Sequence, residues 1–205
     1  MEAWQDKIIW QAFYVNCCIV QGLEGEAVKK VLIVVDMQND FVDGALGTAE
    51  ALGIVDRVAS RISEFEGRIF ATLDTHETNY LETAEGRKLP VPHCIRDTKG
   101  WLLNEKVLCA LSDKDYKTIE KPTFGSVCLV EEMRKLREEE EIEAELMGLC
   151  TDICVISNAL LLKAYFPEMR ISVDASCCAG VTPETHKAAL ETMKMCQIEV
   201  TGESA

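Results

Sequence analysis

The chain has 205 residues, 48% of them hydrophobic, which is enough for one well-filled domain and too few for two ordinary ones. A formal net charge of −14 argues against a nucleic-acid partner, which needs clustered Lys and Arg. No apolar run reaches the ~20 residues that span a bilayer, and ten cysteines without a Cys-x-x-Cys fit a reducing cytoplasm rather than a disulfide framework.

In chain order, residues 1–29 fit poorly with the regular pattern that begins after them. Ile8 to Val20 is apolar but interrupted by Trp10, Gln11, Tyr14 and Asn16, with no clean small-residue cleavage site after it. The segment reads as an N-terminal extension or an over-long start, ahead of a domain over residues 30–205. Val31 to Val35 is a β-branched and Leu run, as in a strand buried on both faces, and it leads into Asp36. Ala49 to Phe65 is an amphipathic helix, and Arg68 to Leu73 a second strand ending at Asp74. Thr75 to Trp101 is a long polar loop with Pro90 and Pro92, and a loop of that length in a compact domain usually carries function. Lys117 to Glu120 is a short strand before Lys121, Ser126 to Glu140 a helix, and Ile142 to Met147 a strand. Gly148 to Val155 comes next, with a helix from Val155 to Tyr165. Arg170 to Val173 is a strand ending at Asp174, Thr182-Pro183 caps and starts the last helix, and Gln197 to Val200 closes as a strand. This alternation predicts an α/β fold: a three-layer, doubly wound, mainly parallel six-stranded sheet with helices on both faces.

In such a sheet, ligands bind beyond the carboxyl ends of the strands. Asp36, Asp74, Lys121 and Cys154 are all expected there. Cys154, where a strand hands over to a helix, is the candidate nucleophile, because unpaired N–H groups and the positive dipole end favour a thiolate. Most free cysteines are instead small buried apolar residues, and Asp36 and Asp74 can equally be turn caps. Together, a thiol, a carboxylate and an ammonium make a nucleophilic site in which Asp36 exchanges the thiol proton and Lys121 favours both ionised partners. Asp74 and His76, two apart in an extended segment, point the same way and can share a ligand with His93, a set suited to zinc, iron or manganese. A local hydrogen-bonded turn is the other reading of that pair. His186, on the last helix, is expected to face solvent without a role.

Four separated blocks now stand in order: Asp36-Met37-Gln38-Asn39-Asp40-Phe41, Asp74-Thr75-His76, Lys121, and Thr151-Asp152-Ile153-Cys154-Val155. They resemble the isochorismatase-like cysteine hydrolase superfamily, and within it the nicotinamidase/pyrazinamidase branch. The resemblance covers roughly residues 30 to 200. It implies a triad of Asp36, Lys121 and Cys154, with the thiolate attacking an amide carbonyl, ammonia leaving and water resolving a thioester. It also implies a cis Leu149–Cys150 peptide, an oxyanion hole from the backbone N–H groups of Cys150 and Cys154, and substrate contacts from Phe41 and Leu149. Asp74, His76 and His93 match the family's ligands for a divalent metal, zinc above all, that holds a pyridine nitrogen; Glu85 is the nearest match for a further ligand. No organic cofactor is implied, and the partners are a small amide substrate and further copies of the chain. Two residues depart from the pattern: Thr75 stands where the branch commonly has an aromatic residue, which removes a wall for the substrate ring, and Cys150 stands where Ala is frequent. Cys154 itself argues against isochorismatase proper, whose members lack that nucleophile. The expected activity is hydrolysis of nicotinamide or a similar small amide. The alternatives are another C–N bond, in a carbamoyl or ureido compound, and a non-catalytic interaction module on this fold.

Overall fold

The computed structural model describes residues 28–203. The expected extension lies outside these residues except at its end, where Lys29 already belongs to the first strand. Six strands form one sheet: β1 (Lys29–Val35), β2 (Arg68–Asp74), β3 (Tyr116–Lys121), β4 (Ile142–Leu149), β5 (Ile171–Ala179) and β6 (Glu199–Thr201). They lie in the order β3-β2-β1-β4-β5-β6, and every neighbouring pair is parallel. The helices are α1 (Asn39–Val42), α2 (Ala49–Glu64), α3 (Glu105–Leu111), α4 (Val127–Glu139), α5 (Ile156–Tyr165) and α6 (Pro183–Met195).

From β1 the chain steps to β2 and β3 on one side, then returns to β4 and continues to β5 and β6 on the other. Parallel crossovers are right-handed, so reversing the direction of travel changes the face on which the connecting helix lies. α2 and α3 therefore share one face and pack together, while α4, α5 and α6 share the other. Both faces are covered, which is why β1 and β2 read as continuous apolar runs and are almost wholly buried. Among the described residues no helix is long and apolar enough to cross a membrane.

Three features differ from the expectations raised by the sequence. β5 does not stop at Asp174 but runs on to Ala179. Its pairing slips between Leu146 and Gly148 of β4, and within that bulge the Asp174 carboxylate accepts from the amide and hydroxyl of Ser176. The polar stretch that looks like a strand end is thus the bulge. α3 has no counterpart among the expected elements: it is only seven residues long, capped by Asn104, and its buried residues are Val107 and Leu111. The helix after β4 begins with a π-turn over Thr151–Val155, so Cys154 lies inside that turn rather than ahead of a regular helix.

Candidate active site

The travel of the chain reverses between β1 and β4, and that is where a doubly wound sheet opens a crevice at its carboxyl ends. Asp36 follows β1 there, and Cys150 to Cys154 follow β4. The next strands outward deliver Asp74 and Lys121, paired with each other in the β2–β3 register. Asp36 has a φ of +46°, a left-handed conformation that Asp tolerates better than most residues. Its carboxylate is fully buried and accepts from the Thr72 hydroxyl at 2.6 Å.

Lys121 is buried among these groups. Its Nζ lies 2.7 Å from Asp36 Oδ2 and donates to Asp74 Oδ1 at 3.2 Å, to the Thr123 carbonyl at 3.1 Å and to Cys154 Sγ at 3.3 Å. The three residues expected to act together therefore meet. Burial alone would lower the Lys121 pKa, but Asp36, Cys154 and Asp74 outweigh it and raise it, so the ammonium is charged. Burial raises the Asp36 carboxyl, although Lys121 opposes it. The Cys154 thiol is pushed well up by burial and then by the Asp36 charge, with Lys121 opposing. This corrects the expectation of a thiolate stabilised by a helix start. Burial therefore works against a thiolate on Cys154 in this site, and the Asp36 charge adds to that effect.

The second group forms because two segments run side by side. His76 N–H donates to the Cys94 carbonyl and Arg96 N–H to the His76 carbonyl, so Cys94–Arg96 lies along His76 as a parallel bridge. The Asp40 carboxylate accepts the Cys94 amide at 2.7 Å and fixes the turn after His93. Ligand atoms of Asp74, His76, Glu85 and His93 all lie within 4.8 Å of one another. His93 Nδ1 lies 2.8 Å from the Val91 carbonyl, which turns Nε2 inward toward Asp74 and Glu85. His76 Nε2 is buried and makes no well-aligned hydrogen bond, although Asp74 Oδ2 lies 3.1 Å away. Two imidazole nitrogens and two carboxylates suit a divalent metal, and a buried nitrogen aimed into the group without a well-aligned hydrogen bond is what such a metal would satisfy. Tyr80, a residue with no motif to mark it in the sequence, seals the far side with its ring 4.7 Å from His76 and 5.0 Å from His93.

Both groups border one cavity of about 250 Å³, lined by Asp74, Glu85, His93, Cys150 and Cys154 and by an apolar wall that includes Phe41, Leu46, Leu89, Phe124 and Val181. A larger groove of about 640 Å³ between α2 and α6 contains no residue of the triad or the metal group, so the smaller cavity is the candidate site. Phe41 lies where expected. Leu149 does not: its side chain is fully buried in the core and is absent from the cavity wall, although the Leu149–Cys150 peptide is cis. Thr75 is buried, donates to the Leu73 carbonyl, accepts from the Trp101 indole at 2.9 Å and does not line the cavity. The walls present are Phe41 and Phe124. His186 is not idle on the surface: it is half-buried, and its Nδ1 lies 2.8 Å from Thr151 Oγ1.

Residues 30–204 match the isochorismatase domain family. The chain belongs to that family. Among its relatives is an uncharacterised isochorismatase-family protein of Bacillus subtilis, 31% identical over 172 residues, or 79% of this chain and 92% of the relative. The nicotinamidase/pyrazinamidase of Mycobacterium tuberculosis is 28% identical, covering 83% of this chain and 97% of the relative. A crystal structure of the Pyrococcus horikoshii pyrazinamidase in complex with zinc superposes with a TM-score of 0.71 at 26% identity, covering 85% of this chain and 99% of the neighbour. Within the isochorismatase family, then, this chain has similar relatives whose names include nicotinamidase and pyrazinamidase.

Proposed function

We propose that the protein hydrolyses nicotinamide or a closely similar small carboxamide to the acid and ammonia through a thioester on Cys154. It is a hydrolase of carbon–nitrogen bonds other than peptide bonds. The observation that carries the reading is one buried ammonium, that of Lys121, touching both Asp36 and the thiol of Cys154, the triad residue that lines the cavity. The names of the Mycobacterium and Pyrococcus relatives support the substrate class.

As sulfur attacks the carboxamide carbon, Asp36 accepts the thiol proton and the carbonyl electron pair moves onto oxygen. The backbone N–H groups of Cys150 and Cys154 are the donors assigned to that oxyanion. Collapse breaks the C–N bond, and the proton on Asp36 leaves with ammonia. Water then attacks the thioester carbon, Asp36 takes a water proton, and that proton returns to sulfur as the acid departs. Lys121 holds the Asp36 carboxylate in place and balances its charge whenever it is unprotonated. Asp74, His76, Glu85 and His93 would hold a divalent metal, zinc by analogy with the Pyrococcus neighbour, which supplies a Lewis-acid contact for a ring nitrogen. The apolar wall suits the faces of a single aromatic ring. A cavity of about 250 Å³ is below the ~300–1,000 Å³ typical of sites for larger ligands.

Ammonia release measured across nicotinamide, pyrazinamide and a ureido compound, with and without added zinc, tests this. The amides are expected to be cleaved and the Cys154→Ala variant to be folded but inactive. Ammonia from the ureido compound alone, or full activity in Cys154→Ala, would overturn the substrate or the mechanism respectively.

A further inference from the structure

His186 is the one histidine of the chain outside the metal group. Its ring nitrogen Nδ1 meets the hydroxyl of Thr151, which is completely buried. Thr151 is the first residue of the π-turn that carries Cys154 and follows directly on Cys150. The next residue, Asp152, accepts the Val181 amide on both carboxylate oxygens at 3.2 and 3.1 Å. Two successive residues of the nucleophile turn are thus lashed to the start of α6. The far end of the turn is held by Asn158, which donates to the Cys154 carbonyl at 2.8 Å. Inside the turn, the Ile153 and Val155 amides both converge on the Cys150 carbonyl. Such π-turns are rare and tend to mark functional sites, and this one is pinned from outside at each end.

We propose that His186 is a positioning residue for the nucleophile: through the Thr151 hydroxyl it fixes the turn that holds Cys154 Sγ beside Lys121 Nζ. Whichever ring nitrogen carries the proton, one hydrogen bond joins the two side chains. Burial pushes the His186 pKa below its ordinary value, while Asp152 and Glu203 work to raise it and Lys187 to lower it further. A helix-surface histidine that merely fills space predicts something different, namely lost stability with unchanged chemistry.

The inference rests on the thiol mechanism above, so its test carries one readout that needs no substrate. In the full-length protein His186→Ala, His186→Asn, Thr151→Val, Thr151→Ser and the Ala/Val double variant are compared by kcat and KM for nicotinamide. The same set is compared by the rate at which iodoacetamide alkylates Cys154, followed by peptide mass. Displacement of a reacting atom by about 1 Å costs on the order of a hundredfold, so His186→Ala and Thr151→Val should each lower kcat at least about tenfold with little change in KM. Both should also change the Cys154 alkylation rate. Asn, whose side-chain amide can occupy the Nδ1 position, and Ser, which keeps the hydroxyl, should restore most of the loss. The double variant should be no worse than either single one, because one interaction is removed in all three. Wild-type kcat and alkylation in His186→Ala, or single losses that multiply in the double variant, would overturn the inference. If wild type cleaves no nicotinamide, the substrate reading fails and the alkylation cycle still decides the role of His186.

Discussion

Lys121 connects two clusters that would otherwise repel. Its ammonium lies between the carboxylates of Asp36 and Asp74, both buried. Removing one partner of a buried ion pair costs about 3–5 kcal/mol, because the other charge stays in the low-dielectric interior. Lys121→Met should therefore destabilise the fold by that amount. At ~2–4 °C per kcal/mol for a domain of this size, the melting temperature should fall by roughly 10 °C. The Lys121→Met/Asp36→Asn pair should recover part of the loss by removing one stranded charge. Calorimetry showing no recovery would mean that packing of the lysine stem, not charge, is responsible. The pH dependence is set by the sign of the shift. The Lys121 pKa is raised above its ordinary 10.5, so its stabilisation is complete below that value and is lost only as pH climbs through the higher folded value. The gap between wild type and Lys121→Met should stay constant through neutral pH and close only in strong alkali. At the metal group, His76→Ala removes the inward-facing Nε2. Bound metal per chain, read by elemental analysis after gel filtration, should drop below that of wild type; equal stoichiometry would exclude His76 as a ligand.

At the level of elements, the site depends on how closely β1 and β4 approach at the reversal point. Val35 pairs with Gly148, whose φ is +119°, and a Cβ there would run into the Val35 carbonyl. Gly148→Ala should cost at least about 1–3 kcal/mol of backbone strain and loosen the contact that sets Asp36 opposite the nucleophile turn. Denaturant titration and kcat should fall together. Loss of kcat without loss of stability would place the effect elsewhere. An element is legible in the sequence when the information that makes it is local. β1 announces itself because both of its faces are buried, and α6 because the Thr182–Thr185 capping box and Pro183 in the first turn need no tertiary context. The β5 bulge and α3 are illegible because the bulge is set by its slip against β4 and by Arg57, 119 positions from Ser176, and α3 by packing on α2. In the site, strand ends locate Asp36, Asp74, Lys121 and Cys154, but the residues that aim them lie elsewhere. Asp40 reaches Cys94 across 54 positions and Asn158 reaches Ser126 across 32, and neither pattern is periodic. The Cys154 pKa shifts opposite to the expected direction because a helix start is visible in sequence, whereas complete burial beside Asp36 is not.

At the scale of the whole molecule, 35 acidic residues face 21 basic ones, and surface cations are shared. Arg134 serves Glu131 and Glu138, Arg170 serves Glu143 and Glu199, and Lys194 serves Glu191 and Glu203. Exposed pairs of this kind contribute little each, because solvent screens them. Against them stands the mutual repulsion of a net charge of −14, spread over distances longer than a contact pair. Salt weakens both effects, but unequally: the screening length is ~10 Å at 0.1 M, so repulsion across the surface is cut hard while charges about 3 Å apart are cut less. Repulsion therefore loses more than attraction, and added sodium chloride should stabilise the protein. Raising it from a few millimolar to about 0.2 M should lift the melting temperature by roughly 2–4 °C, equivalent to about 1 kcal/mol for a domain of this size. A melting temperature that falls over the same range would mean that the shared ion pairs, not the excess negative charge, dominate the surface electrostatics.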